Sequence, residues 1–205
     1  MHIAVVGNIG AGKTTLTRLL AKHLDWDPQY EAVDHNPYLD DFYRDMKRWS
    51  FNLQIYFLNS RFQHMLELQK SKANIIQDRT IYEDAYIFAD NLHDMDLMST
   101  RDFENYSAIF ESILEFINPP DLLIYLKASV PTLVDNIQLR GREYEAGIRL
   151  DYLSKLNEKY EKWIGSYTGG KLLILDKDKL DFENNIEDMS FVAQQVDREI
   201  NGLFK

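Results

Sequence analysis

The chain has 205 residues, 45% of them hydrophobic, and a formal charge of −10, which suits one α/β domain with a substantial core and excludes a disordered polymer. Zero cysteines exclude disulfides, iron–sulfur clusters and cysteine-bound zinc, the five histidines lack metal-ligand spacing, and no basic face suited to nucleic acid is visible. No apolar run approaches the length of a membrane span and the N-terminus reads as a core strand rather than a leader, so a cytoplasmic protein making no membrane contact is expected.

Residues 1–6, MHIAVV, form a short apolar run that predicts a buried strand. The next eight, Gly7-Asn8-Ile9-Gly10-Ala11-Gly12-Lys13-Thr14, spell G-x-x-x-x-G-K-[ST]. Residues 15–24 then place Leu16, Leu19, Leu20 and Leu24 on one face of a helix. Strand, glycine-rich loop and helix in that order make a phosphate cradle. The glycines allow backbone angles and close approach that a Cβ would forbid, and successive N–H groups at a helix N-terminus wrap phosphate. Lys13 is expected at the β/γ-phosphates, Thr14 at Mg²⁺, and Thr15 beside them. The expected ligand is ATP or GTP.

Further strands are predicted at 73–78, 122–126 and 171–176, with a weaker one before Glu31, and helices at 48–70, 83–92, 101–117, 130–140, 150–167 and 186–203. The strands are nearly continuous apolar runs, as in a parallel sheet buried on both faces. The alternation predicts an α/β fold, a five-stranded parallel sheet with helices on both sides, in a single domain spanning 1–205. Ligands then gather at the carboxyl ends of the strands, where Gly7 to Thr14, Glu31, Asp78 and Asp176 lie. Asp78-Arg79-Thr80 ends one strand, so Asp78 is a second candidate for Mg²⁺ and Arg79 a cation for the transferring phosphoryl group. Arg140-Gly141-Arg142 ends a helix and opens a segment of about 140–149 that reads as a mobile lid bringing both arginines over phosphate.

These motifs together resemble the deoxynucleoside kinases. The resemblance runs over nearly the whole length and rests on Gly7 to Thr14, Glu31-Ala32-Val33, Tyr43, Arg48-Trp49-Ser50-Phe51-Asn52-Leu53-Gln54, Arg61, Asp78-Arg79-Thr80-Ile81-Tyr82-Glu83-Asp84, Leu139-Arg140-Gly141-Arg142 and Glu145. Asn36-Pro37-Tyr38, Phe57 to Arg61 and Tyr86-Ile87-Phe88 look most like its bacterial, purine-preferring branch. The resemblance implies Glu31 as the base that deprotonates the nucleoside 5′-hydroxyl, Arg79, Arg140 and Arg142 at the moving phosphoryl group, and Tyr43 with Glu145 on the sugar 3′-hydroxyl. It implies Gln54 on the base edge, Arg61 and Asp84 as the base-selecting pair, Phe88 stacked on the base, and Asp181 and Phe182 in the loop around the adenine of ATP. It also implies a homodimer.

The sequence departs from the family pattern at Asp78, where many relatives have Glu, and at Asn36, Ala85 and Asn136. The expected activity is transfer of a phosphoryl group from ATP to a deoxynucleoside, deoxyadenosine first, with deoxyguanosine and deoxycytidine as rivals. A nucleoside-monophosphate kinase is the nearest alternative and a P-loop switch a more distant one. The sequence lacks the N-K-x-D and D-x-x-G elements a guanine-nucleotide switch would carry.

Overall fold

The structure, a computed structural model, describes residues 1–30, 36–70 and 73–202. Five strands, β1 (His2–Val6), β2 (Asp27–Gln29), β3 (Ile75–Asp78), β4 (Leu122–Lys127) and β5 (Lys171–Asp176), form one parallel sheet in the order β2-β3-β1-β4-β5. Central β1 pairs Ile3 with Ile76 on one side and Leu122 on the other. All strand carboxyl ends therefore open onto one edge, with the end of β1 between those of β3 and β4.

Alternation along β1 divides the interior. Ala4 and Val6 face a core that includes Phe57, Ile81, Leu123, Tyr125 and Tyr160. Ile3 and Val5 face a second core that includes Leu16, Leu20, Ile124, Leu133 and Val192. The first is roofed by α3 (Met46–Lys70), α6 (Thr100–Leu114) and α8 (Leu150–Gly165); the second by α1 (Lys13–Leu24), α7 (Val130–Arg140) and α9 (Ile186–Asn201). Full burial of one such Leu or Ile contributes about 1.5–3 kcal/mol. Among the described residues no helix is long and apolar enough to cross a membrane.

Several boundaries differ from the sequence reading. The helix expected at 101–117 ends at Leu114, short of the run Asn118-Pro119-Pro120. The one expected at 150–167 ends at Gly165. A short helix, α2 (Leu39–Arg44), went unforeseen because it buries only Phe42 and shows no periodicity. The helix expected at 83–92 begins as α4 (Ile81–Glu83), widens into a π-helical segment at Asp84–Ala89 and resumes as α5 (Asp90–Asp94). A π-helical turn is rare and gathers at functional sites. It leaves no mark on hydrophobic spacing that distinguishes it from α.

Two histidines are structural. His2 pairs with Gln77 Oε1 through Nε2 at 2.8 Å, and His64 pairs with Gln29 Oε1 in the same way at 2.8 Å. Burial is the main cause that lowers both pKa values below the ordinary 6.5, favouring the neutral rings in the fold. Below about pH 6.5 the unfolded chain therefore binds more protons than the folded one, and stability falls as pH drops. Thermal unfolding followed from pH 7.5 to 5.5 should show this decline, and replacing both residues, His2→Gln with His64→Gln, should flatten it.

Candidate active site

The loop between β1 and α1 is bent by glycines in left-handed or mirror conformations, with φ +153° at Gly7, +85° at Gly10 and +91° at Gly12. At Gly10 a Cβ would lie 2.6 Å from the Leu133 carbonyl oxygen, so no other residue fits there. Lys13 folds back across the loop and donates to the carbonyls of Gly7 at 2.9 Å and Asn8 at 3.1 Å. Helix α1 starts at Lys13 with no acidic residue in its first turn, leaving the positive end of its dipole to the loop.

Neighbouring elements brace this loop. The Asn8 amide donates to Leu153 O and to Asn157 Oδ1, both 3.1 Å away on α8, while its oxygen accepts from Ile9 N. Asn136 of α7 donates to Gly10 O at 2.8 Å. The Thr14 hydroxyl donates to Asp78 Oδ2 at 2.5 Å, joining loop to β3. Glu83, wholly buried, accepts from Gly7 N, from Thr80 N and from the Tyr160 hydroxyl. Arg79, at φ +68°, lies between these supports, its guanidinium 4.3 Å from the centre of the Phe88 ring.

The loop faces a cavity of about 960 Å³. Ile9, Gly10, Gly12, Lys13, Thr14 and Thr15 line one end, together with Asp78 and Arg79. Tyr43, Gln54, Asp84 and Phe88 continue the wall, Phe88 against Arg79, with Arg140, Arg142 and Glu145 at the rim, Asp181 on the wall and Phe182 beside Gly12. Gly7, Asn8 and Ala11 are not part of this lining and shape the loop from behind. Glu31 lies outside the described residues.

Gln54 is 2% exposed, and its Oε1 has no hydrogen-bond partner among the described residues. Such a buried acceptor at a cavity wall awaits a donor from a ligand. Asp84 is buried and paired with Arg61 Nε, also buried. Arg61 lies behind Asp84, over the Phe57 ring, and lines a neighbouring hollow instead of the main cavity. The Tyr43 ring stacks on Tyr144 at 5.9 Å and 19°. Burial, reinforced by Tyr152 and Glu145, pushes the Tyr43 pKa far up, so its hydroxyl stays a donor. Glu145 is held by Arg140 at 2.7 Å and lies 3.6 Å from Arg142. The two arginines expected over phosphate are thus tethered to a carboxylate on the same cavity rim.

The sequence reading missed Tyr144 and Tyr152, which line the cavity, and assigned no role to Glu83 or Lys177. Tyr144 lay within the lid segment without a spacing signal. Glu83 stood inside a quoted motif, and only its burial distinguishes it. Thr14 and Asp78 present a hydroxyl and a carboxylate, hard oxygen donors of the kind a magnesium ion takes.

The profile of the deoxynucleoside kinase family, described as "Deoxynucleoside kinase", matches residues 3–201. The chain belongs to the deoxynucleoside kinase family. It is 42% identical over 192 residues to the deoxyadenosine/deoxycytidine kinase of Bacillus subtilis (strain 168), covering 91% of this chain and 88% of that one. It is 36% identical over 203 residues to a deoxyguanosine kinase of Lactobacillus acidophilus, with 95% and 88% covered. The solved structure of M. mycoides deoxyadenosine kinase with bound dATP superposes with a TM-score of 0.85 at 29% identity, covering 96% and 100% of the two chains. This deoxynucleoside kinase is therefore a phosphotransferase that phosphorylates deoxynucleosides from a nucleoside triphosphate donor, on the P-loop kinase fold.

Replacing Gly10 tests the loop directly. Gly10→Ala demands a Cβ inside contact distance of Leu133 O at a backbone angle that L-residues avoid. It should cost about 1–3 kcal/mol in chemical unfolding and weaken triphosphate binding in calorimetry.

Proposed function

We propose that this chain transfers the γ-phosphoryl group of ATP to the 5′-hydroxyl of deoxyadenosine, in deoxynucleoside salvage. One observation carries the reading: a single cavity joins the phosphate loop to a buried amide with an unsatisfied oxygen, Gln54, and to the carboxylate of Asp84. Phosphate is addressed at one end and a base edge at the other, and the space between accommodates a sugar.

Base choice follows from acceptors. Arg61 beside Asp84 favours its ionised form, and an ionised carboxylate only accepts hydrogen bonds. Gln54 Oε1 is a second acceptor, and the same amide can donate. The exocyclic amine of adenine supplies two N–H groups, and its ring nitrogen takes the amide donor. Guanine brings an acceptor, O6, to the same place. Arg61 lines the neighbouring hollow instead of the main cavity, which favours adenine over guanine. Phe88 packs against the base. Tyr43, kept protonated, and Glu145 hold the 3′-hydroxyl, and the Tyr43 ring crowds C2′ so that ribose is disfavoured.

Glu31, assigned on the resemblance alone, takes the proton from the 5′-hydroxyl. The oxygen attacks the γ-phosphorus in line, the bond to the bridging oxygen breaks, and ADP departs with that oxygen. Lys13 and Arg79 neutralise charge on the phosphates. Thr14 and Asp78 would hold Mg²⁺, which when bound offsets charge on the phosphate oxygens. Residues of about 140–149 act as the lid, with Arg140 and Arg142 exchanging Glu145 for phosphate. Asp181 and Phe182 flank the adenine of ATP. The partner is a second copy: α3 and α6 pack together, and Ile109 of α6, 46% exposed, and Phe116 just beyond it, 61% exposed, are apolar side chains that a homodimer would cover.

Comparing kcat/KM across the four natural deoxynucleosides tests the substrate. Deoxyadenosine should lead, and a win for thymidine or deoxyguanosine would overturn the acceptor argument. Glu31→Gln should lower kcat by about 10²- to 10⁴-fold while deoxyadenosine binding survives. Turnover close to wild type would assign the base elsewhere.

A further inference from the structure

Glu83 is fully buried and takes no part in the transfer described above. Its oxygens meet donors from three separate parts of the chain. Oε2 accepts from Thr80 N at 2.7 Å, the ordinary reciprocal bond of a capping box, and from the Thr80 hydroxyl at 3.4 Å. Oε1 accepts from Gly7 N at 3.3 Å and from the Tyr160 hydroxyl of α8 at 2.7 Å. A cap alone needs neither of these, and caps work well in water. Burying a carboxylate is costly unless donors converge on it.

The partners of Glu83 show what the convergence fixes. Gly7 opens the phosphate loop, and its carbonyl is one of the two that hold the Lys13 ammonium. Thr80 directly follows Arg79, whose left-handed backbone is anchored on its other side by the bond from Arg79 N to Val5 O at 3.0 Å. One carboxylate therefore ties the first residue of the cradle to the residue after the arginine and to α8. Tyr160 is itself wholly buried and stacked on Tyr125 at 5.9 Å, so its hydroxyl has little freedom to move away.

We propose that Glu83 is a positioning residue of the donor site, holding the phosphate loop and the Arg79 backbone in fixed relation through Gly7, Thr80 and Tyr160. It touches neither substrate, and it acts through the groups that do. The inference rests on the reading of the loop as the ATP site.

The substitution that isolates this is Glu83→Gln, which keeps the volume and one acceptor oxygen. The amide nitrogen then confronts an N–H of Gly7 or Thr80, and neither backbone group can turn into an acceptor. The variant should bind ATP at least tenfold more weakly by calorimetry and lose at least tenfold in kcat at saturating substrates. Deoxyadenosine affinity should stay within threefold, which also reports that the protein is folded. ATP affinity and kcat within twofold of wild type, or equal losses toward both ligands, would overturn the proposal in favour of a purely structural role. Should Glu83→Gln not fold, Tyr160→Phe removes one donor alone, and three- to tenfold weaker ATP binding is expected. Unchanged binding in that variant overturns the proposal equally. If the wild type binds ATP but phosphorylates no deoxynucleoside, the functional reading fails, while the affinity comparison still decides the role of Glu83.

Discussion

The rest of the molecule depends on keeping eight residues of main chain, Gly7 to Thr14, bent into a cradle that no regular element would form. Glycine makes the bend possible and does not make it stay, since a residue with so much conformational freedom loses most on being fixed. Stability comes from outside the loop. Asn136 holds Gly10, Asn8 anchors to α8, Asp78 takes the Thr14 hydroxyl, and Glu83 takes the first N–H. The parallel sheet serves this arrangement by delivering the ends of β1, β3 and β4 to one edge.

Charge is organised locally. A chain with net charge −10 repels a triphosphate at long range, and the cations lining the cavity, Lys13, Arg79, Arg140, Arg142 and Lys177, are each engaged locally. Lys13 rests on two carbonyls, Arg79 on the face of Phe88, and both lid arginines on Glu145. On the proposed reading a triphosphate would replace these existing contacts, and side chains oriented beforehand lose less freedom on binding.

The strands and the position of the loop were legible because they rest on patterns that survive in one dimension: apolar runs, glycine spacing, and an acid at a strand end. Lys13, Thr14 and Asp78 meet where their motifs place them. Gln54, Phe88 and Glu145 were legible only through the resemblance, since on spacing alone Gln54 and Phe88 belong to ordinary amphipathic helices. Arg61 and Asp84 show the limit: the pairing was foreseen, but which partner faces the cavity depends on helix rotation, which spacing does not encode. The wide turn at Asp84–Ala89, the lid tether at Glu145 and the convergence on Glu83 are three-dimensional facts, set by burial and by partners up to 77 residues distant.

That wide turn has two faces. Asp84 and Phe88 border the cavity, whereas Tyr82 and Tyr86 stack on each other and pack edge-on against Phe110 on the far side. A helix that already accommodates a loosened turn is a place where one residue can be gained or lost during descent without displacing what lies before or after it. On the proposed role of Asp84 and Phe88 at the base, a change confined to this stretch would reshape that wall of the cavity and leave the phosphate loop and the sheet in place.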